Sequence, residues 1–198
     1  MRIIGITGGV GAGKSELLSY LVRNYSCRVL LADEVGNLVK EPGQPCYDAL
    51  VGLLGESILD ANGKIDRRKM ADVIFGDAKL LQQVNSIIHP AVEEYIFEQI
   101  RLERERGEIS FFFVEAALLI ECGYDSKLDE LWYIYAAPEV RARRLRESRG
   151  YSDDKIRKVM ASQLPEEEFR RVCKVVIDNS GTLEQAYEQI DALMRAQE

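Results

Sequence analysis

The run Gly8-Gly9-Val10-Gly11-Ala12-Gly13-Lys14-Ser15 constrains this chain more than any other segment. It fits G-x-x-x-x-G-K-[ST] without deviation. Backbone N–H groups can grip phosphate oxygens only if several of them point into one concavity, and glycines supply the required dihedrals and close approach. Such a loop needs a strand before it and a helix after it, whose N-terminus adds positive potential. Both are legible. Arg2 to Thr7 is a short apolar run, and Lys14 to Asn24 carries Leu17, Leu18, Leu21 and Val22 at helical spacing. The spacing excludes a dinucleotide fingerprint, since G-x-G-x-x-G begun at Gly9 would need glycine where Lys14 stands. Gly9, Val10, Gly11, Ala12, Gly13, Lys14, Ser15 and Glu16 are therefore the candidate nucleotide contacts. Lys14 is expected to reach the β- and γ-phosphates, and the Ser15 hydroxyl to ligate Mg²⁺.

Further apolar runs recur at Val29–Ala32, Ser110–Val114, Leu131–Ala137 and Val175–Ile177, separated by helical patterns. Strands alternating with helices predict an α/β fold with a parallel sheet covered on both faces. Leu38 to Gly63 reads as irregular, and Asp66 as the cap of a helix through Phe75. Asp77 to Arg106 reads as helical with a break at His89-Pro90, because proline discourages helix in the residue before it. Ser152 is expected to start a helix through Gln163. Thr182, with Glu184 and Gln185 behind it, is expected to cap a terminal helix.

The 198 residues carry a net charge of −7, which argues against a basic nucleic-acid footprint, so an anionic ligand must be held by local cations. Cys27, Cys46, Cys122 and Cys173 show no metal or disulfide spacing and read as free thiols in a reducing compartment. No run is long enough for a membrane helix, and the expectation is a cytoplasmic protein with no membrane or nucleic-acid partner.

Asp33 falls where a second strand should end, the place where open α/β sheets bind ligands. It can accept a proton from an attacking hydroxyl, or it can cap the next helix. Glu115 ends the aromatic strand, either beside the metal or facing solvent. Arg141, Arg143, Arg144, Arg146 and Arg149 crowd one helix, with Arg141 and Arg144 on one face. One or two of them are expected to neutralise a transferring phosphoryl group from a lid, and the rest to lie at the surface beside Glu139 and Glu147. Arg67-Arg68-Lys69 could meet a substrate phosphate but reads rather as a helix surface, and His89 reads as structural.

The ordered set resembles the dephospho-CoA kinase family over nearly the whole chain. It comprises Ile4 to Ser15, Ala32-Asp33, Ile87-Ile88-His89-Pro90, Leu118-Leu119-Ile120-Glu121, Ser162-Gln163-Leu164-Pro165 and Val176-Ile177-Asp178-Asn179-Ser180-Gly181. The resemblance implies a three-layer phosphate-loop fold with a five-stranded parallel sheet, a helical substrate-binding insertion and a helical lid. It implies core segments 1–37, 103–137 and 168–198, insertion 38–102 and lid 138–167. It also implies ATP- and Mg²⁺-dependent phosphorylation of the ribose 3′-hydroxyl of dephospho-CoA by a monomer or weak homo-oligomer. By matching position, Asp33 is the implied base, Lys14 and Arg144 the further catalytic groups, and Asn179 an adenine neighbour. His89, Glu115 and Leu118 join Asp33 on the acceptor side. Leu31, Glu115, Ser148 and Phe169 depart from the family pattern. A kinase for another nucleoside or nucleotide, or a nucleotide-binding regulatory paralogue, is the alternative.

Overall fold

Strands that are apolar at every position must be covered on both faces. β1 (Arg2–Thr7) is buried from its second residue onward, and β3 (Phe111–Glu115) and β4 (Glu130–Tyr135) are nearly as enclosed. With β2 (Cys27–Leu31) and β5 (Val175–Asp178) they form one sheet in the order β2-β3-β1-β4-β5. The pairings β1–β3, β1–β4 and β4–β5 are parallel. The five-stranded parallel α/β architecture expected from the sequence is what forms. β1 lies at the centre, and the chain leaves it toward β2 on one side and later returns to β4 on the other. The end of β1 is thus the switch point of the topology, where such sheets bind their ligands.

The computed structural model describes residues 1–197, in two compact units, one of residues 30–106 and the other made of the chain on either side of it. In the first unit, Phe112, Phe113, Trp132, Ile4 and Ile6 form the centre of the core. The Phe113 and Trp132 rings meet at 5.6 Å. Truncating a buried ring of this kind typically costs about 3–5 kcal/mol. Around the sheet run α1 (Lys14–Asn24), α6 (Pro138–Arg149), α7 (Asp153–Ala161), α8 (Glu166–Val172) and α9 (Leu183–Arg195). Thr182 and Gln185 form the anticipated capping box of α9, and Ser152 caps α7. Phe169 of α8, one of the expected departures from the family pattern, is buried with its ring stacked on Tyr133 at 4.6 Å.

The second unit contains α2 (Ala32–Leu38), α3 (Tyr47–Leu54), α4 (Arg67–Ile74) and α5 (Ala78–Arg106). Asp66 caps α4 by accepting from the Arg68 and Lys69 amides. Here the sequence expectations need correction. The second strand begins two residues earlier than its apolar run, because Arg28 lays its guanidinium over the Phe112 ring, and Ala32 already belongs to α2. The segment read as irregular holds α3, which buries Leu50 and Leu54 although Gly52 weakens the pattern. α5 runs unbroken through His89 and Pro90. A mid-helix proline costs about 3 kcal/mol. Burial of Val84 on one side of it and of Ile96 and Ile100 on the other keeps both halves on one axis. α8 lies in a stretch assigned no element, and α7 ends at Ala161 rather than Gln163.

The cysteines are free, with Cys46 and Cys173 buried. Burial pushes the Cys27 and Cys173 thiols up to about 11, so both stay protonated at neutral pH. No helix among the described residues is long and apolar enough to cross a membrane.

Asp191 ties α9 to α1 by accepting from Tyr20 and Tyr25 at 2.8 and 2.6 Å. The Tyr25 hydrogen bond, with that of Tyr20, holds the Asp191 carboxyl below its ordinary 3.8. A depressed folded pKa stabilises above the unfolded value and loses that stability as pH falls through the folded one. Asp191→Ala is expected to cost about 1–3 kcal/mol at pH 7, read as a drop in thermal midpoint. The gap between the two proteins should narrow below about pH 4; a gap constant from pH 7 to 3 would contradict this account.

Candidate active site

The loop from Gly8 to Gly13 holds three glycines at positive φ: Gly8, Gly11 and Gly13. At two of these, space as well as dihedral demands glycine. A Cβ on Gly8 would strike the Ile134 carbonyl, and one on Gly13 would strike the Asn179 carboxamide. The Ala12 amide closes a turn onto the Gly9 carbonyl at 3.1 Å, and Gly13 then caps α1. The Lys14 ammonium curls back to donate to the Gly8 carbonyl at 2.8 Å and lies 3.4 Å from Glu115 Oε1. Glu115 is beside it because the β1–β3 register pairs Ile6 with Glu115. It is half-buried rather than turned to solvent. The Ser15 hydroxyl is exposed at the second residue of α1.

Distant side chains hold the loop from behind. Asn179, fully buried just past β5, donates through Nδ2 to the Ala12 carbonyl at 2.7 Å. Its Oδ1 is buried and meets no donor. Arg144 donates to the same Ala12 carbonyl at 3.3 Å and to the Asn179 carbonyl at 2.9 Å. Arg141 Nε donates to the Val10 carbonyl at 2.9 Å. Gln163 Oε1 accepts from the Val10 amide at 3.2 Å and from Arg141 Nη2. Burial pushes both guanidinium pKa values down from their ordinary level, and neither forms an ion pair among the described residues. Arginine stays charged under such shifts. The loop of an acidic chain is thus surrounded by the cations Lys14, Arg141 and Arg144 with one carboxylate, Glu115, among them.

The remaining arginines of α6 behave as surface groups. Arg143 and Arg149 are exposed, and Arg146 pairs with Asp153 at 2.7 Å rather than with Glu139 or Glu147. Ser148 is exposed and donates to the Arg144 carbonyl. Beside the loop, Tyr133, Tyr135, Pro138, Arg141, Gln163 and Leu164 help line a cavity of about 310 Å³. Leu118, past the end of β3, is half-exposed.

Asp33 and His89 belong to the other unit. Asp33 is exposed in the first turn of α2, where the cap position is Leu31, so it does not cap that helix. His89 is exposed along α5, and Arg67 and Arg68 open α4 at its surface. Arg141 and Gln163 were not singled out by sequence as loop contacts; the shared helical face of Arg141 and Arg144 was the available signal. For Gln163 the only sequence signal was its place in Ser162-Gln163-Leu164-Pro165.

A glycine-rich loop followed by lysine and serine, at the end of the central strand of this sheet, defines a phosphate-loop kinase fold. The family model for dephospho-CoA kinase matches residues 2–185. A dephospho-CoA kinase of Carboxydothermus hydrogenoformans is 34% identical over 195 residues, 98% of this chain and 94% of that protein. A crystal structure from Thermus thermophilus is 30% identical, with a TM-score of 0.81 over 98% of this chain and 97% of that one. Dephospho-CoA kinase from Campylobacter jejuni, 17% identical, shares the fold at a TM-score of 0.65 over 99% of this chain and 97% of its own. The chain belongs to the dephospho-CoA kinase family.

Gly13→Ala is expected to weaken ADP binding at least tenfold, about 1.4 kcal/mol, because the methyl group displaces Asn179 and strains a left-handed residue. Titration calorimetry checks this; unchanged affinity in a folded variant would contradict the packing described.

Proposed function

We propose that this chain transfers the γ-phosphoryl group of ATP to the ribose 3′-hydroxyl of dephospho-CoA, yielding CoA and ADP. The observation that carries the reading is a phosphate-loop cradle with Lys14, Arg141 and Arg144 around it, in a chain matched along nearly its whole length by one kinase family. The loop amides and Lys14 hold the β- and γ-phosphates, and Arg144 stabilises charge that develops on the transferring group. Asn179, whose carboxamide braces the loop at the Ala12 carbonyl, is assigned to the adenine side of the nucleotide.

Magnesium suits the donor set. No cluster of three or more His, Cys, Asp or Glu that could cage a metal occurs among the described residues. Mg²⁺ in kinases draws most of its ligands from phosphate and water and needs few protein groups. The exposed Ser15 hydroxyl is the residue assigned to it. Bound there, the ion neutralises phosphate charge.

Asp33 is the carboxylate assigned to take the proton from the attacking hydroxyl. Its exposure, its place past the carboxyl end of β2 and its freedom from helix capping support that role. His89, with the helical stretch 38–102, is assigned to the acceptor, as are Glu115 and Leu118. Residues 138–167 are assigned to the lid. We place the protein in the cytoplasm, where a reducing milieu keeps its four cysteines as thiols.

Incubation with ATP, Mg²⁺ and dephospho-CoA should give ADP and CoA in equal amounts. ADP formed only with a different hydroxyl acceptor would overturn the substrate assignment. Asp33→Asn is expected to lower kcat about 10²-fold or more, with KM for ATP little changed, as for loss of a positioned base. Steady-state kinetics decide this, and near-normal turnover would remove Asp33 from the chemistry.

A further inference from the structure

We propose that Arg141 is a positioning residue for phosphoryl transfer, which sets the crest of the phosphate loop through the Val10 carbonyl and through Gln163. The inference rests on the loop being the nucleotide cradle described above.

Three hydrogen bonds close a ring. Arg141 donates to the Val10 carbonyl and to Gln163 Oε1, and that same oxygen accepts from the Val10 amide. Both polar groups of one loop residue are thereby held by one pair of side chains from the 138–167 segment. The crest of a phosphate loop has no regular secondary structure to fix it, so its amides point usefully only if something else holds them.

The glycines of the motif carry the mark of this contact. A Cβ on Gly9 would run into the Arg141 guanidinium, and one on Gly11 would press on the Arg141 carbonyl at 3.0 Å and the Leu145 side chain at 3.1 Å. The absence of side chains at these positions therefore admits α6 as well as phosphate. Arg141 shares with Arg144 a pairing unlike that of Arg146 and Arg170, which are matched to carboxylates in Arg146–Asp153 and Arg170–Glu166. Arg141 is half-buried, has only neutral oxygens as partners, and lines the cavity beside the loop. Two divergent donors on one rigid fork are what the ring needs, and lysine cannot supply that geometry.

The test compares the full-length protein with Arg141→Ala, Arg141→Lys, Gln163→Ala and the double variant Arg141→Ala/Gln163→Ala. Mg·ADP affinity is read by calorimetry, KM for ATP and kcat by steady-state assay, and folding by thermal midpoint. Arg141→Ala should weaken ADP and raise KM for ATP about tenfold or more, with a loss far larger than its fall in midpoint accounts for. Arg141→Lys should recover little of this. Because both residues act on Val10, the double variant should bind about as weakly as Arg141→Ala alone, the signature of coupled sites. Losses that add, or Arg141→Ala binding ADP as the parent does, would overturn the proposal. If Arg141→Ala fails to fold, the lysine variant decides: wild-type affinity there overturns it. ADP binding needs no acceptor, so a parent protein that binds ADP yet leaves dephospho-CoA untouched refutes the substrate assignment and leaves the role of Arg141 standing.

Discussion

The Ala12 carbonyl accepts hydrogen bonds from Arg144 and Asn179, side chains 132 and 167 residues away in sequence. Through these contacts the loop is joined to α6 and to the turn after β5. A backbone held in left-handed conformations at Gly11 and Gly13 gains nothing from strand or helix pairing, and without outside partners it would sample many shapes. Asn179, itself fully buried, has its own amide fixed on the Tyr135 carbonyl at 2.8 Å. The sheet, by pairing β4 with β5 in register, thus places the group that steadies the loop after β1. Nucleotide chemistry in this protein depends on that chain of attachment.

Charge follows from the same arrangement. The chain carries an excess of acid, yet the groups within reach of the loop are mostly cations. Arg141 and Arg144 lie on carbonyl oxygens rather than carboxylates, and so keep their full charge available to an anion while their hydrogen bonds are satisfied. Glu115 is the exception. Its ion pair with Lys14, and the donation of Lys14 to Gly8, hold the ammonium over the loop instead of letting it sweep through solvent. A cluster of like charges is ordinarily unfavourable, and its presence in a half-buried place is what a polyanionic ligand requires.

Much of the architecture was legible because it is local. The apolar strands, the glycine-rich loop, the Asp66 and Ser152 caps and the capping box at Thr182 are each written in a few consecutive residues. The misreadings share one cause, in that tertiary burial outweighed a local signal. Pro90 argues for a break, but the helix around it is committed by Val84, Ile96 and Ile100. Gly52 argues for a loop, but Leu50 and Leu54 anchor α3. Phe169 reads as a departure from the family pattern, and in space it is a core residue stacked on Tyr133. In the site, Lys14, Ser15 and the loop glycines could be named from spacing. Arg144 came from resemblance to relatives, and Arg141 and Gln163 emerged as loop contacts only in the folded chain.

Sequence alone determined that a phosphate-gripping loop joins an apolar strand to an amphipathic helix, since backbone dihedrals and hydrophobic period are properties of neighbouring residues. Tertiary structure decided which of five clustered arginines leave solvent, and which carboxylate meets Lys14. It also decided that a carboxamide from the far end of the chain would brace the loop. Those choices depend on strand order and register, which bring together groups that no spacing along the chain relates.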